Sequence, residues 1–203
     1  VAGPTQSLTA WILGKRPPAE SFQTLTLFSV EHGSSLALQR ISKKSTSATL
    51  DLFDEAELML ETAGAGTAAF VKETRIRTRL TEIGKSYENL RLASGFAQLV
   101  ARNPIGEESR SLVYELLRQA FTAFAYSTRP DVVYLKSLYR FCRDEGYPLK
   151  QAWAPSLATS DRTALAAILN QPVAEQTADP KLVARLHRGL EDYLRRETEI
   201  LLD

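Results

Sequence analysis

Thr67–Leu80, reading TAAFVKETRIRTRL, is the stretch across which the chain changes character. Up to Leu80 apolar residues recur on a period of two, as in strands; from Tyr87 onward they recur on a period near 3.6, as in helices. Within the stretch Arg75, Arg77 and Arg79 alternate with Ile76, Thr78 and Leu80. Strand side chains point alternately to the two faces of a sheet, so the guanidinium groups line one side and the apolar groups the other. One strand is therefore expected to close a β-domain, lead into a helical domain and carry a row of positive charge. A row of this kind also protects a solvated strand against edge-to-edge pairing.

Upstream of it lie four more strand-like runs. Ser7–Gly14 (SLTAWILG) is apolar and partly alternating, and the prolines of Lys15-Arg16-Pro17-Pro18-Ala19-Glu20 break it because they cannot donate to a ladder. Phe22–Val30 and Ser35–Ile41 are joined by Glu31-His32-Gly33-Ser34, a short glycine-containing connection that reads as a hairpin. Ser42–Thr49 (SKKSTSAT) is a polar, basic loop. Glu55–Thr62 alternates with Ala56, Leu58 and Leu60 on one face, although helix competes there on propensity. Ala63-Gly64-Ala65-Gly66 then favours a turn into the opening strand. Five strands at this spacing suit a small closed or partly open barrel, of which the OB-fold is a common type.

Downstream the pattern is helical. Ser86–Asn103 carries an apolar stripe through Tyr87, Leu90, Ala93, Phe96, Ala97 and Val100, and Asn103-Pro104 ends it. Glu107–Ser127 opens on acidic residues that suit the helix dipole. A third helix starts at Pro130 and stops at Gly146-Tyr147-Pro148, and a short one spans Thr163–Leu169, capped by Ser160 or Asp161. Asp179-Pro180 begins the last, with an N-cap residue before a proline at the first helical position. The expected fold class is α+β in two domains. Residues 1–82 form an OB-fold-like barrel and residues 83–203 an all-α domain.

Composition is that of an ordinary globular protein, with 44% hydrophobic and 24% charged residues in 203. Net charge is only +1, so any contact with nucleic acid must use locally segregated charge. The single cysteine, Cys142, has no partner for a disulfide or a Cys-based zinc site and falls on an apolar helix face, where burial is expected. No apolar run approaches the roughly 18 residues of a membrane span. VAGPTQS at the start has no signal-peptide pattern, so a cytoplasmic location is expected.

Catalytic motifs are not evident. His32 and His187 fall in different halves, in a turn and in an Arg-flanked helix, and are expected at the surface. Gly84-Lys85-Ser86 resembles the end of a phosphate loop, but Arg79 stands where that motif needs a glycine; a linker and helix N-cap is the better reading. Gly64 and Gly66 join two strands, which is not a dinucleotide fingerprint. No nucleophile, base and oxyanion group assemble, so no catalytic residue, metal or cofactor is expected.

What remains is positive charge on the β-half. Arg40, Lys43 and Lys44 fall in a stretch without acids, Lys15 and Arg16 follow the first strand, and Arg75, Arg77 and Arg79 line the fifth. These can track a phosphate backbone while aromatics stack bases. Phe22, Phe28 and Trp11 are the candidates for stacking, with Trp11 and Phe28 favoured as core residues instead.

The order of elements resembles the RecO family of recombination mediators. The resemblance is carried by SLTAWILG, then KRPPAESFQTLTLFSVEHGSSLALQRISKK with Glu20, Gly33 and Arg40–Lys44, then an acidic hairpin and a helical remainder closing in YLRRETEILL. It implies an OB-fold that binds single- and double-stranded DNA, a helical domain that meets the C-terminal tail of single-stranded DNA-binding protein, and a partnership with RecR. It implies strand annealing and recombinase loading in DNA repair, without turnover chemistry. Arg40, Lys43 and Lys44 correspond to the family's basic stretch and inherit its DNA-binding role first. Many members carry a zinc-binding cysteine cluster near the position of Phe141–Trp153; only Cys142 stands there, so zinc is not implied. The alternative is an interaction module whose helical half docks an acidic-hydrophobic peptide, with Arg185, Arg188, Arg195 and Arg196 of the last helix as candidate contacts.

Overall fold

The computed structural model describes residues 4–19, 21–41, 49–62 and 69–202. Lys43, Lys44, Glu20 and the Ala63–Gly66 turn lie outside these residues. The fold is α+β, five strands followed by helices. The strands are β1 (Thr5–Lys15), β2 (Phe22–Ser29), β3 (Gly33–Arg40), β4 (Glu55–Thr62) and β5 (Ala69–Thr78). The main helices are α1 (Tyr87–Arg102), α2 (Arg110–Tyr126), α3 (Pro130–Asp144), α4 (Thr159–Asn170) and α5 (Pro180–Glu197).

The chain divides into two compact units, Val1–Leu80 with Val100–Tyr114, and Thr81–Leu99 with Glu115–Asp203. In the first, β1 pairs antiparallel with β2 and β4, β2 with β3, and β4 with β5, while β3 meets β5 in parallel. Every strand thus has two neighbours and the sheet closes in the order β1-β2-β3-β5-β4. Alternation fills the interior with Leu8, Ala10 and Ile12 of β1, Leu25 and Leu27 of β2, Ala37 of β3, and Ala56, Leu58 and Leu60 of β4. Each large aliphatic side chain so buried contributes about 1.5–3 kcal/mol. Gly33 opens β3 with φ +64, and Arg110 Nε lies 3.4 Å from where its Cβ would stand, so the β2–β3 turn needs a glycine.

β5 departs from strict alternation. Met59 faces Glu73 and Leu60 faces Val71, which leaves Lys72 extra; Glu55 faces Thr78 and Ala56 faces Ile76, which leaves Arg77 extra. Each β-bulge shifts the phase of the strand by one residue. Ala69, Val71 and Ile76 therefore all pack on the barrel core although their numbers differ in parity. Phe70 turns outward, and Thr78 joins Glu55 on the outer side.

Trp11 and Phe28 are fully buried yet do not belong to that interior cluster. They are register partners on the outer side of β1 and β2. Segment 100–114 of the same unit covers this strip: Trp11 lies 6.3 Å from the Tyr114 ring, Ser34 Oγ donates to Val100 O at 3.3 Å, and Arg110 Nη1 to Glu31 O at 2.8 Å. Neither indole nor phenyl is therefore available to a base, as the core reading had it.

In the helical unit Phe96, Phe121, Phe124, Leu135, Leu138, Phe141, Leu186 and Leu190 are buried. Ser86 Oγ accepts from Asn89 N at 3.4 Å, the expected cap, while Gly84 and Lys85 belong to a 3-10 turn over Thr81–Lys85. Asn89 Nδ2 in turn donates to Phe124 O and Ser127 O, satisfying carbonyls at the end of α2. Asp179 accepts from Lys181 N, as its N-cap position requires. Three local expectations change. α4 begins four residues earlier than Thr163, and its N-cap is Ala158 without a side-chain bond; Asp161 instead pairs with Arg185 across to α5. The acids at Glu107 and Glu108 form a 3-10 turn ahead of α2, whose own first turn carries none. His187 is half-buried, its ring centroid 4.8 Å from that of Tyr134.

Candidate functional site

The outer surface of the barrel carries two faces of opposite electrostatic character. On β4, Glu55, Glu57 and Glu61 point outward, since Ala56, Leu58 and Leu60 point in. They meet the cations of β5. Arg77 donates from Nε to Glu57 Oε1 at 2.9 Å, Arg75 stands 3.7 Å from the same carboxylate, and Lys72 pairs with Glu61. The guanidinium of Arg77 holds the Glu57 carboxyl below its ordinary range. Glu55 accepts from Thr78 and from Tyr114, whose hydroxyl is pushed well above its usual range, first by burial and then by this bond.

Arg79, beyond the end of β5, has a separate task. It donates Nε and Nη2 to Asp54 at 2.9 and 2.6 Å and Nη2 to Thr49 O at 2.8 Å. Asp54 is 1% exposed, and it also accepts from Asp51 N. A buried carboxylate requires such partners. Arg79 therefore holds the 49–54 segment against the end of β5. Lys15 pairs with Asp51 at 3.3 Å. Four of the cations singled out from sequence thus already hold carboxylates.

The second face is formed by β2, β3 and the start of β5. Register sets Phe22 opposite Arg40, Thr24 opposite Leu38 and Thr26 opposite Leu36, with Leu38 beside Phe70 across the parallel pairing. Phe22 and Phe70 are half-buried and meet edge to face, centroids 5.6 Å apart at 70°. Leu36 is 52% exposed. Arg16 sits at the same end, its backbone fixed to β2 by Arg16 N to Thr24 O at 2.9 Å and Gln23 Nε2 to Arg16 O at 3.0 Å. Arg16 and Arg40 are exposed, and no carboxylate pairs with either among the described residues. This arrangement offers aromatic and aliphatic surface beside two open guanidinium groups. Such a surface suits unpaired bases with a phosphate backbone alongside. The sequence reading found Phe22, Arg16 and Arg40 but missed Phe70, whose face depends on the bulge at Lys72.

A separate groove of about 1110 Å³ lies in the helical unit between α2, α3, α4 and the 146–154 segment. That exceeds the usual range for small-molecule pockets. Its floor is apolar, with Leu116, Ala120, Val133, Leu165 and Leu169. Lys136, Arg140, Arg143, Lys150 and Arg162 stand around it, and none of its described lining residues is acidic. The α5 arginines do not line it. Arg185 pairs with Asp161, Arg195 with Glu191 and Asp192, and Arg188 and Arg196 donate to backbone carbonyls of their own helix. Cys142 is buried and its thiol pushed up to about 12 by desolvation, so it stays protonated at neutral pH. No described helix is long and apolar enough to cross a membrane. Compared with protein-family models and with curated proteins, the chain matches neither.

Proposed function

We propose that the chain is a two-domain, RecO-like recombination mediator whose barrel is an OB-fold that binds DNA in repair without turnover chemistry. The observation that carries this reading is the β2–β3–β5 face, where the Phe22 and Phe70 rings meet beside two cations, Arg16 and Arg40, unpaired among the described residues. Stacking needs unpaired bases, so single strands bind here more tightly than duplex. Phosphates avoid the β4–β5 face, where Glu55, Glu57 and Glu61 repel them and the cations are already engaged. Lys43 and Lys44 follow Arg40 closely in sequence and are assigned the same DNA-binding role. Annealing and recombinase loading with RecR belong to the same reading and rest on the resemblance in element order; a cytoplasmic location is part of the same proposal.

A labelled oligonucleotide titrated at several salt concentrations tests it. Affinity should fall steeply with salt, because each neutralised phosphate releases counterion. No binding at low salt, or a salt-independent response, refutes it. Replacing Arg40, Lys43 and Lys44 by alanine should weaken binding to all sequences and flatten the slope.

The groove favours a second role, in the same protein or alone: docking an acidic peptide with apolar residues, such as the tail of single-stranded DNA-binding protein. Its support is charge complementarity, an apolar floor under a rim of cations. Calorimetry with that tail peptide measures it, and absence of heat rules it out. Peptide binding without DNA binding would leave the interaction module as the function.

A further inference from the structure

The five cations of the groove fall into two classes. Lys136 Nζ donates to Ile168 O at 3.2 Å and Gln171 O at 2.6 Å, closing the C-terminal carbonyls of α4. Arg140 and Arg143 both hold Asp144: Arg140 Nε to Oδ2 at 3.3 Å, Arg143 Nε and Nη2 to Oδ1 at 2.8 and 2.6 Å, while Arg140 Nη1 also donates to Gln119 Oε1. Lys150 and Arg162 have no carboxylate or carbonyl partner for their side chains among the described residues. Asp144 is only 11% exposed and does not itself line the groove. It is the last residue of α3, where the helix dipole disfavours an acid, a cost that its i,i+4 pair with Arg140 offsets in part.

We propose that Asp144 is a built-in competitor that weakens the pull of Arg140 and Arg143, so that the groove reads the first two carboxylates of an apolar peptide through Lys150 and Arg162. This rests on the groove being a docking site for acidic, apolar peptide, and adds how many charges it reads. A ligand carboxylate reaching Lys150 or Arg162 displaces water. One reaching Arg140 or Arg143 meets two guanidinium groups whose charge the Asp144 carboxylate already halves, so less is gained. Indiscriminate capture of polyacidic chains is thereby suppressed.

Calorimetric titration of the full chain with one apolar peptide bearing one, two or three acidic residues tests this. In the unaltered protein the second acid should strengthen binding about fivefold and the third by less than about twofold. In Asp144→Asn the third acid should also give about fivefold. Equal gains from every acid in the unaltered protein, or no added gain from the third in Asp144→Asn, overturn the proposal. If Asp144→Asn does not fold, the variant that combines it with Arg140→Gln and Arg143→Gln, and so leaves no charge unpaired in the cluster, decides. It should keep the affinities for one and two acids within about twofold, and a larger loss overturns the proposal. Failure of the unaltered chain to bind any of the peptides instead refutes the docking reading itself. Displacement of the peptide by an oligothymidylate of equal charge reassigns the groove to nucleic acid, and both fall.

Discussion

Phe70→Ala isolates stacking from charge. Phe70 presents its ring on the outer side of β5, 5.6 Å from Phe22 and beside Leu38, and it is not part of the barrel interior. Its removal takes away one stacking partner and leaves Arg16, Arg40 and Phe22 in place. Loss of one base–aromatic contact costs about 1–3 kcal/mol, roughly a 5- to 150-fold weaker complex with single strands. Because no cation is lost, the slope of log affinity against log salt should not change, whereas Arg16→Ala with Arg40→Ala should reduce it by about 0.7 per phosphate contact. Fluorescence anisotropy with a labelled oligothymidylate across about 50–200 mM salt reads both quantities. Phe70→Tyr keeps the ring and should keep the affinity. A half-buried side chain at the surface of the barrel should cost only about 1 kcal/mol of stability, which thermal melting verifies. An equal loss for duplex and single strand, or a changed salt slope, would refute stacking at this face.

Three further outcomes follow from charges placed elsewhere. Glu57→Gln removes the carboxylate that Arg75 and Arg77 share, so single-strand affinity at low salt should rise by about two- to fivefold and the salt slope should steepen; unchanged anisotropy curves would mean that this face lies off the DNA path. Arg79→Ala strands the buried Asp54 carboxylate with, among the described residues, only the Asp51 amide for a partner, and should cost about 2–4 kcal/mol in denaturant unfolding, discounted for the exposed side of the guanidinium. Glu115 is held down to about 2 by hydrogen bonds from Arg118 and Gln119, against an ordinary value near 4.5. A depressed carboxyl stabilises the fold above its unfolded value and loses that contribution as pH falls through the folded one. The melting difference between the unaltered chain and Glu115→Gln should therefore shrink from about pH 4.5 toward pH 2.

The β-to-helix change at Leu80 was legible because each half keeps its own period over many residues. Strand limits followed from prolines and glycines, and helix starts at Pro130 and Asp179-Pro180 from backbone constraints that act locally. What local pattern does not carry is register. That Glu57 meets both Arg75 and Arg77 depends on which residue of β4 faces which residue of β5, and two bulges decide it. The same bulges hid Phe70: by strict alternation it shares a face with Ile76, yet Ile76 packs on the core and Phe70 points out. The three arginines are all exposed, but the row is not the plain alternation expected: Arg77 sits in a bulge and Arg79 lies beyond β5, and their charge is largely answered by β4 and Asp54. The groove was invisible for a simpler reason. Its cations lie on α3, the 146–154 segment and α4, and no spacing rule links Arg140 with Arg162.

The cover over Trp11 has a consequence for how the chain is made and cut. Tyr114, Arg110 and Val100, which close the outer strip of the barrel, are synthesised after the 81–99 stretch that belongs to the other unit. At about 5–20 residues per second, the strip waits roughly 2–7 seconds after Leu80 before its cover has been made. During that interval Trp11 lacks the Tyr114 ring, leaving indole on the nascent barrel for a chaperone or a second chain to meet. A fragment ended at Leu80, the boundary that strand periodicity suggests, would make that exposure permanent. One ended after Tyr114 would carry its own cover.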